Sequence, residues 1–155
     1  MKTIIRILCF FCVLGCNKSD LLHKTSKDYI DSLSKDVKVD FNVFVREVEV
    51  PSKNITVYRI NSGTYNLEHG EIPTSYFEYK DHYVFIFYQD SIPTENVEKL
   101  GNKGLYKEKE SFYSEEDYDE WILAMCNKKK HILIKDSWYR PLDSLESLKN
   151  FECKK

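Results

Sequence analysis

Residues 83–88, Tyr83-Val84-Phe85-Ile86-Phe87-Tyr88, are apolar or aromatic without a break. At a period of two, Tyr83, Phe85 and Phe87 fall on one side of a strand and Val84, Ile86 and Tyr88 on the other. A strand apolar on both sides must be buried on both. That places it inside a sheet with helices laid over it. It follows Tyr76-Phe77-Glu78-Tyr79-Lys80 across Asp81-His82, the spacing of a tight hairpin, although neither turn residue is Gly.

A second hairpin precedes it. Val39, Phe41, Val43 and Val45 alternate with Asp40, Asn42, Phe44 and Arg46, the pattern of a half-buried strand. Past Arg46 the apolar parity shifts to Val48 and Val50. This requires either a bulge near Arg46-Glu47 or a change in which face is covered. Pro51-Ser52-Lys53-Asn54 turns the chain into another strand over 55–60, broken by Asn61-Ser62-Gly63. Upstream, Tyr29, Ile30, Leu33 and Val37 fall at helical spacing and predict a helix over 27–35. Thr25 and Ser26 are its candidate caps, and Asp28 lies in its first turn. Thr94 is a candidate cap for a short helix to Leu100.

Residues 115–126 fit two patterns. Ser114 and the acids after it, then Tyr118, Trp121, Ile122 and Met125, read as a capped helix. Trp121, Leu123 and Met125 alternate as in a strand. Residues 132–134 read as a strand, and 143–150 as a last short helix with Leu145, Leu148 and Phe151 inward. The sum is an α+β fold, a mostly antiparallel sheet of four to six strands with two or three packed helices.

The N-terminus has another character. Lys2 and Arg6 flank and precede an uncharged run over 7–14. That run is short of the about 20 apolar residues a spanning helix needs and suits a secretory core segment. It closes on Val13-Leu14-Gly15-Cys16, which resembles the lipobox of bacterial lipoproteins. The resemblance covers residues 1–16 alone. It implies cleavage before Cys16, diacylation of the Cys16 sulfur and acylation of the new amino group. Two or more acyl chains hold a protein stably on a bilayer, where one does not. The expected organisation is a signal peptide over 1–15, the lipidated cysteine and a tether over 16–27, and a single α+β domain over 28–155. In such proteins an Asp directly after the cysteine tends to retain them at the inner membrane. Asn17 stands there instead, so the outer membrane is the better expectation. Asp20 alone matches poorly the acidic cluster that some bacteria use for surface export.

Cleavage leaves 140 of the 155 residues, a length suited to one core. Losing Lys2 and Arg6 leaves 21 basic side chains against 25 acidic, a formal −4. That balance gives no electrostatic case for nucleic acid. The run Lys128-Lys129-Lys130-His131 reads as a solvated turn. Cys9 and Cys12 leave with the leader and Cys16 is taken by lipid. Cys126 and Cys153 remain for a bridge in a compartment where disulfides persist. One buried and one terminal thiol is the other reading.

Catalytic signatures are lacking. His23, His69, His82 and His131 show no ligand spacing, so neither metal nor cofactor is expected. Asp117-Tyr118-Asp119-Glu120 lacks the glycine of a calcium loop and has Lys128 where the last carboxylate belongs. Glu68, His69 and Glu71 group two carboxylates and an imidazole around Gly70. They read as a solvated loop, with acid–base work as the alternative. Aromatic residues make up 14% of the chain, more than Phe41, Phe77, Phe85, Phe87 and Trp121 need as core. Trp138, Tyr139 and Arg140 stand together beside Pro141, and these types anchor interfaces and suit stacking on sugar rings. Packing of an edge strand competes. Asp31-Ser32-Leu33, Asp90-Ser91-Ile92 and Asp143-Ser144-Leu145 resemble a bacterial O-glycan acceptor triplet. The expectation is a membrane-anchored, non-catalytic binding domain facing the periplasm or the cell exterior, with a protein or glycan partner. The alternatives are a lipoprotein immunity factor against a toxin or enzyme, and a small envelope enzyme acting on glycan or peptide.

Overall fold

The computed structural model describes residues 18–33, 41–50, 53–63, 72–94, 97, 100, 120–127, 129–136 and 141–153. Helix α1 (Lys18–Leu33) is followed by strands β1 (Asn42–Val50), β2 (Ile55–Gly63), β3 (Ser75–Tyr79), β4 (His82–Phe87), β5 (Glu120–Met125) and β6 (His131–Asp136). A 3-10 turn (Leu142–Ser144) and the short helix α2 (Glu146–Lys149) close the chain. The strands form one sheet in the order β3-β4-β1-β2-β5-β6, antiparallel except for the parallel pair β1–β4. The fold is α+β, as the patterning predicts.

Helix α1 starts at Lys18, well before the predicted start near residue 27, so the expected tether is helical from there on. Its buried stripe is Leu22, Thr25, Ser26, Tyr29 and Ile30, an i, i+3, i+4, i+7, i+8 face. Two of the five are polar, which hides the stripe in sequence. Thr25 and Ser26 are not caps. Their hydroxyls donate to the carbonyls of Leu21 (2.8 Å) and Leu22 (2.9 Å), one turn back. That back-bonding lets a small polar side chain be buried in a helix. The Tyr29 phenol donates to Ser62 Oγ at 3.2 Å and its ring meets Trp121 edge-on.

Strands β1 and β2 pair without a slip from Asn42↔Gly63 to Val50↔Ile55, so the parity change holds no bulge. The covered face changes instead. Val43 and Val45 pack under α1 with Tyr58, Ile60, Val84, Ile86, Trp121, Leu123 and Met125. Val50 packs on the opposite face, against a cluster of Ile55, Val57, Ile122 and Ala124 with Leu145, Leu148 and Phe151 of the C-terminal segment. A third cluster, also on that opposite face, joins Phe44 and Phe85 to Val97 and Leu100.

The β3–β4 hairpin is tight, as expected, but its turn is Lys80-Asp81, one residue earlier than the predicted Asp81-His82, and His82 opens β4 paired with Tyr79. Lys80 and Asp81 both take positive φ (49° and 65°), the mirror-image turn that a two-residue connection requires. Strand β4 lies inside the sheet between β3 and β1, buried on both faces. Residues 120–125 are a strand, not the helix that the Ser114 pattern predicts, and all six are buried. Ile122 and Ala124 fill the other face, so the alternation of Trp121, Leu123 and Met125 does not separate this strand from a buried helix by periodicity alone. The proposed helix start at Ser114 lies outside the described residues. Among the described residues no helix is long and apolar enough to cross a membrane.

Candidate functional site

Most residues singled out in the sequence lie outside the described residues: Cys16, Glu68, His69, Glu71, Trp138, Tyr139 and Arg140. Cys126 and Cys153 are bonded to each other with Cα atoms 5.6 Å apart. The bridge ties the C-terminal segment to the end of β5. Lys53 adds a second tie, donating to the carbonyls of Leu148 (2.5 Å) and Lys149 (2.6 Å) at the C-terminal end of α2, where a cation meets the negative pole of the helix. Of the histidines, His82 and His23 pack against aromatic rings, His131 is exposed, and His69 lies outside the described residues. The His82 ring stacks on Phe41 with centroids 3.9 Å apart, and its Nδ1 donates to the Phe41 carbonyl at 2.9 Å. His23 lies against Phe77 (4.4 Å), and burial first, then Lys27, holds its pKa below the usual value. Among the described residues no three potential metal ligands gather.

Two polar constellations stand out. The first is on the face away from α1, where its two apolar clusters meet. The β1–β2 register sets Arg46 directly opposite Arg59, and like charges so placed repel. Glu120, at the buried start of β5, offsets this. Arg59 donates from Nε to Oε1 (2.7 Å) and from Nη2 to Oε2 (2.6 Å), a charge-assisted fork. The Glu120 side chain is 0% exposed and that of Arg59 11%. The Arg46 guanidinium lies 4.9 Å from the Phe87 ring centroid and 5.6 Å from that of Phe44, within cation–π range. An arginine keeps its proton, and this carboxylate is locked in the fork. The node is built for hydrogen bonding and stacking rather than proton transfer. Sequence spacing hides it, since its members lie on three strands. One signal was available: Arg46 and Arg59 are equally far from the Pro51–Asn54 turn, so a regular hairpin sets them face to face.

The second constellation fixes the loop after β4. The Tyr58 phenol donates to Glu47 Oε1 (3.2 Å), and the Gln89 N–H donates to Glu47 Oε2 (3.1 Å). Burial first, then Glu47, pushes the Tyr58 phenol far above its usual range, and the same two causes raise Tyr88. Both phenols therefore stay protonated at neutral pH. Thr74 Oγ1 accepts from the Tyr88 N–H (3.0 Å), and the Thr94 N–H donates to the Thr74 carbonyl (3.0 Å). Residues 72–74 and 92–94 are thereby tied together at one end of the sheet.

The chain matches no family model, no curated protein and no solved structure.

Proposed function

We propose that this chain is a lipid-anchored protein of the bacterial envelope, whose α+β domain is a non-catalytic binding module facing the periplasm or the cell exterior. The observation that carries the reading is the order of charge, short apolar core, Gly15 and Cys16 in the first sixteen residues. The Cys126–Cys153 bridge supports it, because disulfides persist in oxidising compartments. Asn17 favours the outer membrane over the inner. The contact surface centres on Trp138, Tyr139 and Arg140. These follow Asp136, the last residue of edge strand β6, and Asp136 pairs with Glu120 at the sheet end away from the start of α1. The partner is a protein or glycan that takes stacking and a guanidinium.

Replacing Cys16 with Ser abolishes palmitate incorporation and flotation with membranes. A variant that retains both refutes the anchor. Alanine at Trp138, Tyr139 and Arg140 leaves the far-ultraviolet circular dichroism of the wild type and removes partner binding. A triple variant that unfolds shows the three to be core and refutes the contact surface.

A further inference from the structure

One end of the sheet collects four features. Strand pairing brings together there the ends of β1, β4 and β5 and the starts of β2, β3 and β6. The start of α1 points to the same end. Along the helix His23 meets Phe77, Lys27 lies over the Tyr79 ring, and Asp31 meets Lys80, so α1 runs in the direction of β3. Tyr29, eleven residues after Lys18, is already at the opposite end beside Ser62 and Trp121. A helix rises about 1.5 Å per residue, which sets Lys18 roughly 16 Å back from Tyr29. Cys16 is two residues before Lys18, so its Cα is at most about 7 Å further.

Two of the most exposed large apolar side chains, Ile72 (59%) and Ile92 (88%), belong to this end. Both sit two residues before a member of the Thr74–Thr94 pair that ties their segments. Isolated exposed apolar residues are ordinary on protein surfaces. The segments that carry these two are joined by the Thr94–Thr74 bond and pinned by Thr74 to Tyr88 and by Glu47 to Gln89. Lys129, exposed in the β5–β6 turn, is at this end too, beside Lys130, whose ammonium donates to the Glu152 carbonyl over the Phe151 ring. Asp90 also stands here, so charge does not select an anionic surface by itself. The apolar side chains and the position of the start of α1 point to lipid.

We propose that this end of the sheet rests on the lipid bilayer, with Ile72 and Ile92 inserted at the headgroup and acyl boundary and Lys129 above them. This rests on the lipid-anchor reading. With a single residue between Cys16 and α1, the domain is held against the bilayer rather than swinging on a tether. The opposite end, after β6, is left facing outward.

The test uses the full chain purified from membranes and inserted into vesicles of phosphatidylethanolamine and phosphatidylglycerol, some brominated high on one acyl chain. Ile92→Trp adds an indole at an exposed position, and the wild type gives the background emission. The added emission shifts to the blue and falls about twofold with brominated lipid, since interfacial side chains lie about 5–10 Å into that boundary. In the wild type, an impermeant amine reagent labels Lys129 more slowly on vesicles than in detergent, while Lys135 keeps its rate. Unquenched emission with unchanged Lys129 labelling, in protein whose mass shows acylation, overturns this inference and leaves the anchor standing. A mass without acyl groups overturns both.

Discussion

The two faces of the sheet are covered in different ways. Under α1 lies one apolar cluster drawn from β1, β2, β4 and β5, capped by a sixteen-residue helix. The opposite face carries two clusters that meet at Arg46, Arg59 and Glu120. Its C-terminal cover is a 3-10 turn and a four-residue helix. A long amphipathic helix holds itself in place through a continuous stripe. A cover that offers Leu145, Leu148 and Phe151 has too little helix to be stable alone. It is held instead by the bridge to Cys126 and by Lys53 on the carbonyls of Leu148 and Lys149. Where local structure is weak, covalent and charge-assisted ties replace it.

That contrast is broken most strongly at the charged node. Glu120→Ala leaves two arginines facing each other at a buried site and destabilises by about 3–5 kcal/mol, read by urea denaturation. The double variant Arg59→Met/Glu120→Met removes both partners and costs much less, because no lone charge stays buried. Equal losses in the two variants would show that the fork itself, rather than the unpaired charge, governs stability.

Next in size is the staple. Cys126→Ser/Cys153→Ser opens a loop of 27 residues, worth about 3.5 kcal/mol in the chain-entropy account. Hydrogen exchange should rise over 142–153 and β6 while α1 keeps its protection. If α1 loosens as much as the C-terminal segment, the two faces are one cooperative unit and the contrast is false.

The smallest effect probes the α1 face. Burial holds His23 below its ordinary value of 6.5, so the unfolded chain binds its proton more readily. Its contribution to stability is complete above that value and is lost as pH falls through the lower folded pKa. Thermal melts of wild type and His23→Gln between neutral and mildly acid pH should converge on acidification. Parallel curves would mean that His23 titrates as it does when unfolded.

The sheet was largely legible because its strands carry period-two patterning and its turns carry Asn54 and Asp81 where left-handed backbone is needed, although Lys80, read as strand, is the other turn residue beside Asp81. Cys126 and Cys153 were legible as the pair left once Cys9, Cys12 and Cys16 were given to the proposed leader and anchor, and Leu145, Leu148 and Phe151 by spacing. Three things were not. The first turns of α1 were masked by Thr25 and Ser26, whose burial depends on hydroxyls bonding one turn back. Strand β5 was masked by being apolar on both faces. The parallel pairing of β1 with β4 is a long-range choice with no local residue signature. The Arg46–Arg59–Glu120 node is assembled only by folding, so no contiguous stretch of sequence announces it.

An intact mass spectrum of the mature protein, taken from membranes without reductant, tests the central claim most directly. The account predicts a chain beginning at Cys16, heavier by its acyl groups and lighter by the two hydrogens lost on joining Cys126 to Cys153. A full 155-residue chain with no acyl mass would contradict it.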